Sequence, residues 1–242
     1  IYNPVNTQWQ HLGPIPGLSG TPSDATVGGI ASIGDYVFLT DFETIEGDSH
    51  GMTRINIVNG EVTRFGEGTL GARLFASANA GTIFGTGGSS TIYEFHPLDG
   101  SLLNTLTLPL IPGLLTRYRA QAIAFDGDAL WVLVNFGRLA GQHLIKVDAD
   151  TGELLDEHSL QGLQNSNNTG FGFSNRLNGL AAMNGLLYVS TTNGTITVPQ
   201  SGGLFIGFDD NLEVEEYDPV TRRTTGKVIS PPAISSTIFG TT

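Results

Sequence analysis

Asp41, Glu43, Glu46 and Asp48 bring four carboxylates into one short stretch, with His50 two residues further on. Oxygen donors gathered on a loop suit a hard cation such as Ca²⁺, which makes these four the candidate metal ligands. The spacing is not that of an EF-hand loop. A solvated acidic loop is the plainer reading, and a general acid/base pair of the glycosidase type is a third. A second group is basic. Arg117, Arg119, Arg138 and Arg176 lie in or beside the connections between apolar runs, in a chain with only 11 Lys and Arg. Guanidinium groups take carboxylate or phosphate through two parallel bonds, although each can equally pair with a local Asp or Glu. Amides accompany them at Gln121, Asn135 and Asn178. Together Asp41, Glu43, Arg119, Gln121, Asn135, Arg138, Arg176 and Asn178 form the candidate ligand-binding set.

Other chemistry is weakly signalled. His11, His50, His96, His143 and His158 show no metal-binding spacing, and no nucleophile elbow, phosphate loop or dinucleotide fingerprint is present. His96 and His158 fall at turn or outer-strand positions, where exposure is expected. There is no cysteine, which excludes disulfides, thiol catalysis and thiolate metal sites. The segment from Gln164 to Asn175 mixes amides with Phe171 and Phe173, a combination that suits sugar recognition as well as a polar loop pinned by two aromatics.

The elements that must hold these residues repeat. An apolar strand, a tight turn and a second apolar strand occur at residues 28–38, 74–84, 121–131 and 178–188, with a remnant at 237–241. The aromatics Phe38, Phe84, Trp131, Tyr188 and Phe239 mark the second strand, about every 48 residues. A strand, polar turn and strand follow each time, around Val58-Asn59-Gly60, Leu98-Asp99-Gly100, Asp150-Thr151-Gly152 and Val220-Thr221-Arg222. Asp, Asn, Pro and Gly supply the angles and side-chain bonds of such turns. A further copy, Tyr2-Asn3-Pro4-Val5, begins the chain. Strand repeats of this length mean an all-β protein, and the count predicts a five-bladed β-propeller over residues 1–242, its last blade closed by strands from both termini.

Composition bounds the partners. With 23 Asp and Glu against 11 Lys and Arg, the formal net charge is −12, a field that repels a phosphate backbone and argues against nucleic acid. No apolar run reaches the roughly 18 residues of a membrane span. Asn, Thr, Ser and Gly are abundant, Lys is scarce and the first residue is Ile1, so a secreted or extracytoplasmic protein with a removed leader is expected. Asn167-Asn168-Thr169 and Asn193-Gly194-Thr195 match the N-glycosylation pattern.

The turns inside the repeats are short at one end of the strands. At the other end lie long connections, including 41–53, 109–119, 160–177 and 191–211. Long loops gathered on one side of a rigid ring build a binding surface. The stretches Phe125 to Val132 and Leu144 to Leu154 resemble blades of bacterial propellers, similar to those of plant-type glutaminyl cyclases, streptogramin-lyase-like proteins and quinoprotein-like repeat proteins. The resemblance implies the blade alone, and no family's catalytic residues map onto this chain. The expectation is a recognition or extracellular structural module for carbohydrate or a surface protein. The alternatives are a propeller enzyme of cyclase, lyase or glycosidase type, and a self-assembling subunit.

Overall fold

Where a sheet is covered on both faces its strands lose the apolar-polar alternation, and the run Ala129-Leu130-Trp131-Val132-Leu133-Val134 is of that kind. The protein, seen in a computed structural model, is described at residues 2–3, 8–9, 26–42, 52–65, 74–77, 81–86, 90–111, 118–135, 142–160, 176–193 and 211–229. After a short hairpin of β1 (Tyr2–Asn3) and β2 (Gln8–Trp9), the chain builds four sheets of four antiparallel strands. Blade 1 is β3 (Thr26–Ile33), β4 (Tyr36–Phe42), β5 (Met52–Asn56) and β6 (Val62–Phe65). Blade 2 is β7 (Leu74–Ser77), β8 (Ile83–Thr86), β9 (Thr91–Phe95) and β10 (Leu102–Thr107). Blade 3 is β11 (Arg119–Phe125), β12 (Ala129–Asn135), β13 (Gln142–Asp148) and β14 (Leu154–Ser159). Blade 4 is β15 (Arg176–Met183), β16 (Leu186–Asn193), β17 (Asn211–Asp218) and β18 (Arg223–Ile229). Each blade pairs its strands in sequence order, and the first strands β3, β7, β11 and β15 pack one against the next along the inside. This is a propeller arrangement.

Among the described residues it has four blades, not the five expected. The N-terminal copy of the repeat folds as the hairpin in which Tyr2 faces Trp9 and Asn3 faces Gln8, among the described residues a sheet of two strands. Phe239 and the rest of the C-terminal remnant lie outside the described residues. Strand-turn-strand patterning is a local code: it specifies a hairpin without saying how many strands join it. Among the described residues β15 and β3 do not pack against each other as the other neighbouring inner strands do.

Three apolar layers hold the four blades together. Phe38, Met52 and Ala31 of blade 1 meet Ile83 and Phe95 of blade 2. On the other face of blade 2, Phe84, Ile92 and Leu106 meet Ile123, Leu130, Val132, Val134 and Ile145 of blade 3. The remaining face of blade 3, with Trp131, Leu133 and Leu144, meets Leu187, Val189 and Tyr217 of blade 4. Strand β12 thus sends alternate side chains into two different layers, all of them buried. Burying one large aliphatic side chain contributes about 1.5–3 kcal/mol.

The turns between third and fourth strands are built alike, and they set the seams. Asn56 and Asp148 cap their turns by accepting backbone N–H groups two and three residues on, and Asp218 takes the Val220 N–H. The fifth position of each turn has positive φ: Gly60, Gly100, Gly152 and Arg222. In blades 2 and 3 that residue lies on the preceding blade. A Cβ on Gly100 would stand 2.5 Å from Phe65 Cδ2, and one on Gly152 would stand 3.3 Å from the Thr107 carbonyl oxygen. Around Gly60 the space is open. In blade 4 the position carries Arg222, whose Nη2 donates to Asp156 of blade 3 at 2.8 Å. Side chains cross the other seams too: Arg54 donates to the Leu98 carbonyl at 3.1 Å, its guanidinium 5.1 Å from the centre of the Tyr36 ring.

These seats predict an ordered series in urea unfolding. Gly60→Ala adds only backbone strain, about 1 kcal/mol. Gly100→Ala adds the clash with Phe65 and costs about 3 kcal/mol. Arg222→Gly relieves about 1 kcal/mol of strain and forfeits an exposed ion pair worth about 0–1 kcal/mol. Its stability therefore stays close to that of the parent. A Gly100→Ala change no larger than that of Gly60→Ala contradicts the seam packing.

Candidate functional site

The inner strands share an irregularity at one end. Against its neighbour, β3 shifts register between Val27 and Gly29, β11 between Ala120 and Ala122, and β15 between Leu177 and Gly179. The inserted residues are Gly28, Gln121 and Asn178, at the same level in blades 1, 3 and 4. Two residues before each insertion stands the first residue of the strand, Thr26, Arg119 or Arg176, paired with Phe42, Asn135 or Thr192. A bulge strengthens local twist and re-aims the inserted side chain, and bulges cluster beside functional sites.

Of the residues singled out in the sequence, the fold collects six at this end. Arg119 and Gln121 lie on β11, Asn135 on β12, Arg176 and Asn178 on β15, and Asp41 next to the end of β4, opposite Val27. Gln121 is partly exposed. Glu43, Glu46, Asp48 and Arg138 lie outside the described residues, as does the amide-rich segment with Phe171 and Phe173. The proposed Ca²⁺ set is therefore represented only by the backbone of Asp41. Among the described residues no three or more His, Asp or Glu side chains come together as metal ligands would.

Blades 3 and 4, which carry the two arginines, are joined by a polar network that sequence reasoning missed. His158, expected to be exposed, is buried at their seam, its side chain 1% accessible. Its Nδ1 lies 3.0 Å from the Tyr217 hydroxyl and its Nε2 2.8 Å from Asp156 Oδ2. Asp156 also holds Arg222. Burial pushes the Asp156 carboxyl up, but the bonds from His158 and the Glu157 N–H, with the Arg222 guanidinium, outweigh it and keep the group below 3.8. On the same face, Trp131 sits edge-on to His158, and its indole N–H donates to Asp126 Oδ2 at 2.8 Å. Lys146 Nζ reaches that oxygen at 2.9 Å. His143, at the start of β13 and also buried, bonds Glu157 Oε1 through Nδ1 at 2.8 Å. The signal available in the sequence was an Asp-x-His on an outer strand beside a seam.

No family model matches the sequence, and no curated protein matches it. Several solved structures are similar to parts of the chain. The crystal structure of Myxococcus xanthus glutaminyl cyclase is 16% identical with a TM-score of 0.46, covering 67% of this chain and 66% of that one. BamB from Moraxella catarrhalis is 13% identical with a TM-score of 0.43, covering 84% and 53%. The WD40 domain of Neurospora crassa Pan2 is 13% identical with a TM-score of 0.47, covering 84% and 49%. The matched region thus spans 49% to 66% of each of these proteins. At such identities the likeness is one of fold alone and transfers no activity.

The Asp126 hub gives a pH signature. Burial raises the group, but Lys146, the Ala129 and Asp128 N–H groups and the Trp131 indole together hold it below 3.8. A carboxyl lowered by folding contributes stability above its unfolded value and loses it as pH falls through the folded one. Melting followed from pH 7 to pH 2.5 therefore shows Asp126→Asn less stable than the parent at neutral pH, with the two curves converging below 3.8. A constant gap across that range contradicts the assignment.

Proposed function

We propose that this chain is an exported recognition propeller that binds its ligand at the inner-strand ends of blades 1, 3 and 4 and the loops that leave them. The observation that carries this reading is the recurrence of one bulge at one level in β3, β11 and β15. An edge strand uses bulges to avoid pairing with other chains. These bulges lie on the inner edge strand of each sheet, which packs against a neighbouring blade's inner strand, so protection from other chains is not the whole explanation. The ends of neighbouring packed sheets also give a rigid frame, a usual setting for a ligand site. The residue types placed at this level, amides and arginines, suit a carbohydrate or the polar surface of an extracellular protein. Export rests on the Asn-, Thr- and Gly-rich, Lys-poor composition.

Glycan and peptide arrays probed with the parent protein test the proposal, alongside Gln121→Trp and Asn178→Trp, which fill the level of the bulges. The expected result is retention on a subset of features that drops at least about tenfold in either variant, an effect of about 1.4 kcal/mol. Melting temperatures should stay near that of the parent. Retention that is unchanged in both variants, or absent in the parent on every feature, overturns the proposal.

A further inference from the structure

Where asparagine precedes glycine, its carboxamide is open to attack by the next backbone nitrogen, because glycine has no side chain to shield that nitrogen. The chain contains four such pairs, beginning at Asn59, Asn178, Asn184 and Asn193. Two of them lie in fully described turns, and the fold treats those two differently. Asn59-Gly60 is tied down: Asn59 Oδ1 accepts the Glu61 N–H at 2.9 Å, and the Gly60 N–H donates to the Asn56 carbonyl at 2.8 Å. Asn184-Gly185 forms the two-residue turn between β15 and β16, closed by the pairing of Met183 with Leu186. Both residues are exposed and have positive φ, 54° and 77°. Among the described residues neither the Asn184 carboxamide nor the Gly185 N–H has a hydrogen-bond partner. A Cβ on Gly185 would meet nothing within 4 Å. Nor does such a turn require asparagine. Blade 1 turns between Ile33 and Tyr36 with Gly34 at the matching position, at the same φ of 54°.

From this contrast we propose that Asn184 is a self-modification site, at which the folded protein slowly converts its own carboxamide to a carboxylate. The Gly185 backbone nitrogen attacks Asn184 Cγ. A new N–C bond forms, the Cγ–Nδ2 bond breaks, and ammonia leaves carrying the proton that the Gly185 nitrogen gives up. Water then opens the cyclic imide at either carbonyl, giving aspartate or isoaspartate. A hydrogen bond on the attacking N–H opposes loss of its proton; Gly60 makes one and Gly185 does not. Attack also requires the asparagine to rotate toward that nitrogen. Asn59 is held back by its bond to Glu61, whereas at Asn184 only the flanking strand ladder resists. Either product adds one negative charge, taking the formal net charge from −12 to −13. Isoaspartate does more, because it routes the main chain through the side chain and lengthens a two-residue turn. Turn length sets hairpin register, so the pairing of Met183 with Leu186 is the first to go. Strand β15 also packs against β11, which carries the disturbance to the inner contact between blades 3 and 4.

The test is ageing of the whole folded chain in mildly alkaline buffer, with peptide mapping by mass spectrometry at intervals. Loss of the carboxamide is expected to run at least about tenfold faster at Asn184 than at Asn59. In concentrated urea, where both turns are unfolded, the two rates should converge, since glycine follows each asparagine. A smaller excess in the folded protein, or an equal excess in urea, overturns the proposal. Asn184→Gly, which gives blade 4 the residue that blade 1 carries at this position, is aged in parallel. As isoaspartate accumulates the parent is expected to lose melting temperature, while this variant keeps its own. Equal loss in both overturns the link between the modification and the hairpin.

Discussion

Face-to-face packing of neighbouring blades is the constraint on which everything else depends. A four-stranded sheet with two apolar faces cannot stand alone in water, and strand β12, with Leu130, Val132 and Val134 on one side and Trp131 and Leu133 on the other, requires a blade against each. Magnitudes show which interactions hold and which only align. Each fully buried aliphatic side chain contributes about 1.5–3 kcal/mol. An exposed pair such as Arg222 with Asp156 contributes about 0–1 kcal/mol. The apolar layers therefore bring the inner strands together, and the polar links across the outer seams choose the register in which they meet.

Much of this was legible because the relevant codes are local. Asp126-Gly127-Asp128 and Asn184-Gly185 mark the tight turns between first and second strands, and the Asx-type caps at Asn56, Asp148 and Asp218 mark those between third and fourth. The number of blades was not legible for the same reason. The N-terminal copy carries valid hairpin signals and forms a valid hairpin, but pairing to a full blade depends on neighbours remote in sequence. His158, expected to be exposed on an outer strand, is buried, and a one-residue irregularity accompanies the difference. The register of β13 against β14 shifts between Lys146 and Val147, leaving Leu155 as the extra residue. A single inserted residue reverses which side chains face inward. Leu155 is consequently exposed, while His158 turns into the seam.

The site was legible in part by the same logic of repetition. Arg119 with Arg176, and Gln121 with Asn178, align once the repeats are superposed, and the strand registers place each pair at one level. The bulges themselves leave only a faint trace, a polar residue or glycine interrupting the start of an apolar run, and pairing reveals them directly. The acidic stretch from Asp41 was conspicuous in composition yet has no counterpart in the other repeats, so superposition gives it no position on the ring. Repetition locates residues that recur. It is silent on those that occur once.

A basic pair on an acidic protein is no contradiction once distance is considered. At physiological ionic strength charges separated by more than about 8 Å are largely screened. Carboxylates on the turns and outer strands, such as Asp99, Asp150 and Asp156, therefore act on a distant anion weakly and chiefly slow its arrival. Within a few ångströms the balance belongs to whichever groups stand there. Of the carboxylates described, Asp126, Asp148, Asp156 and Asp218 already accept hydrogen bonds from turns and seams, which leaves less of their charge uncompensated. The same bonds that secure blade against blade thus offset part of the negative surface.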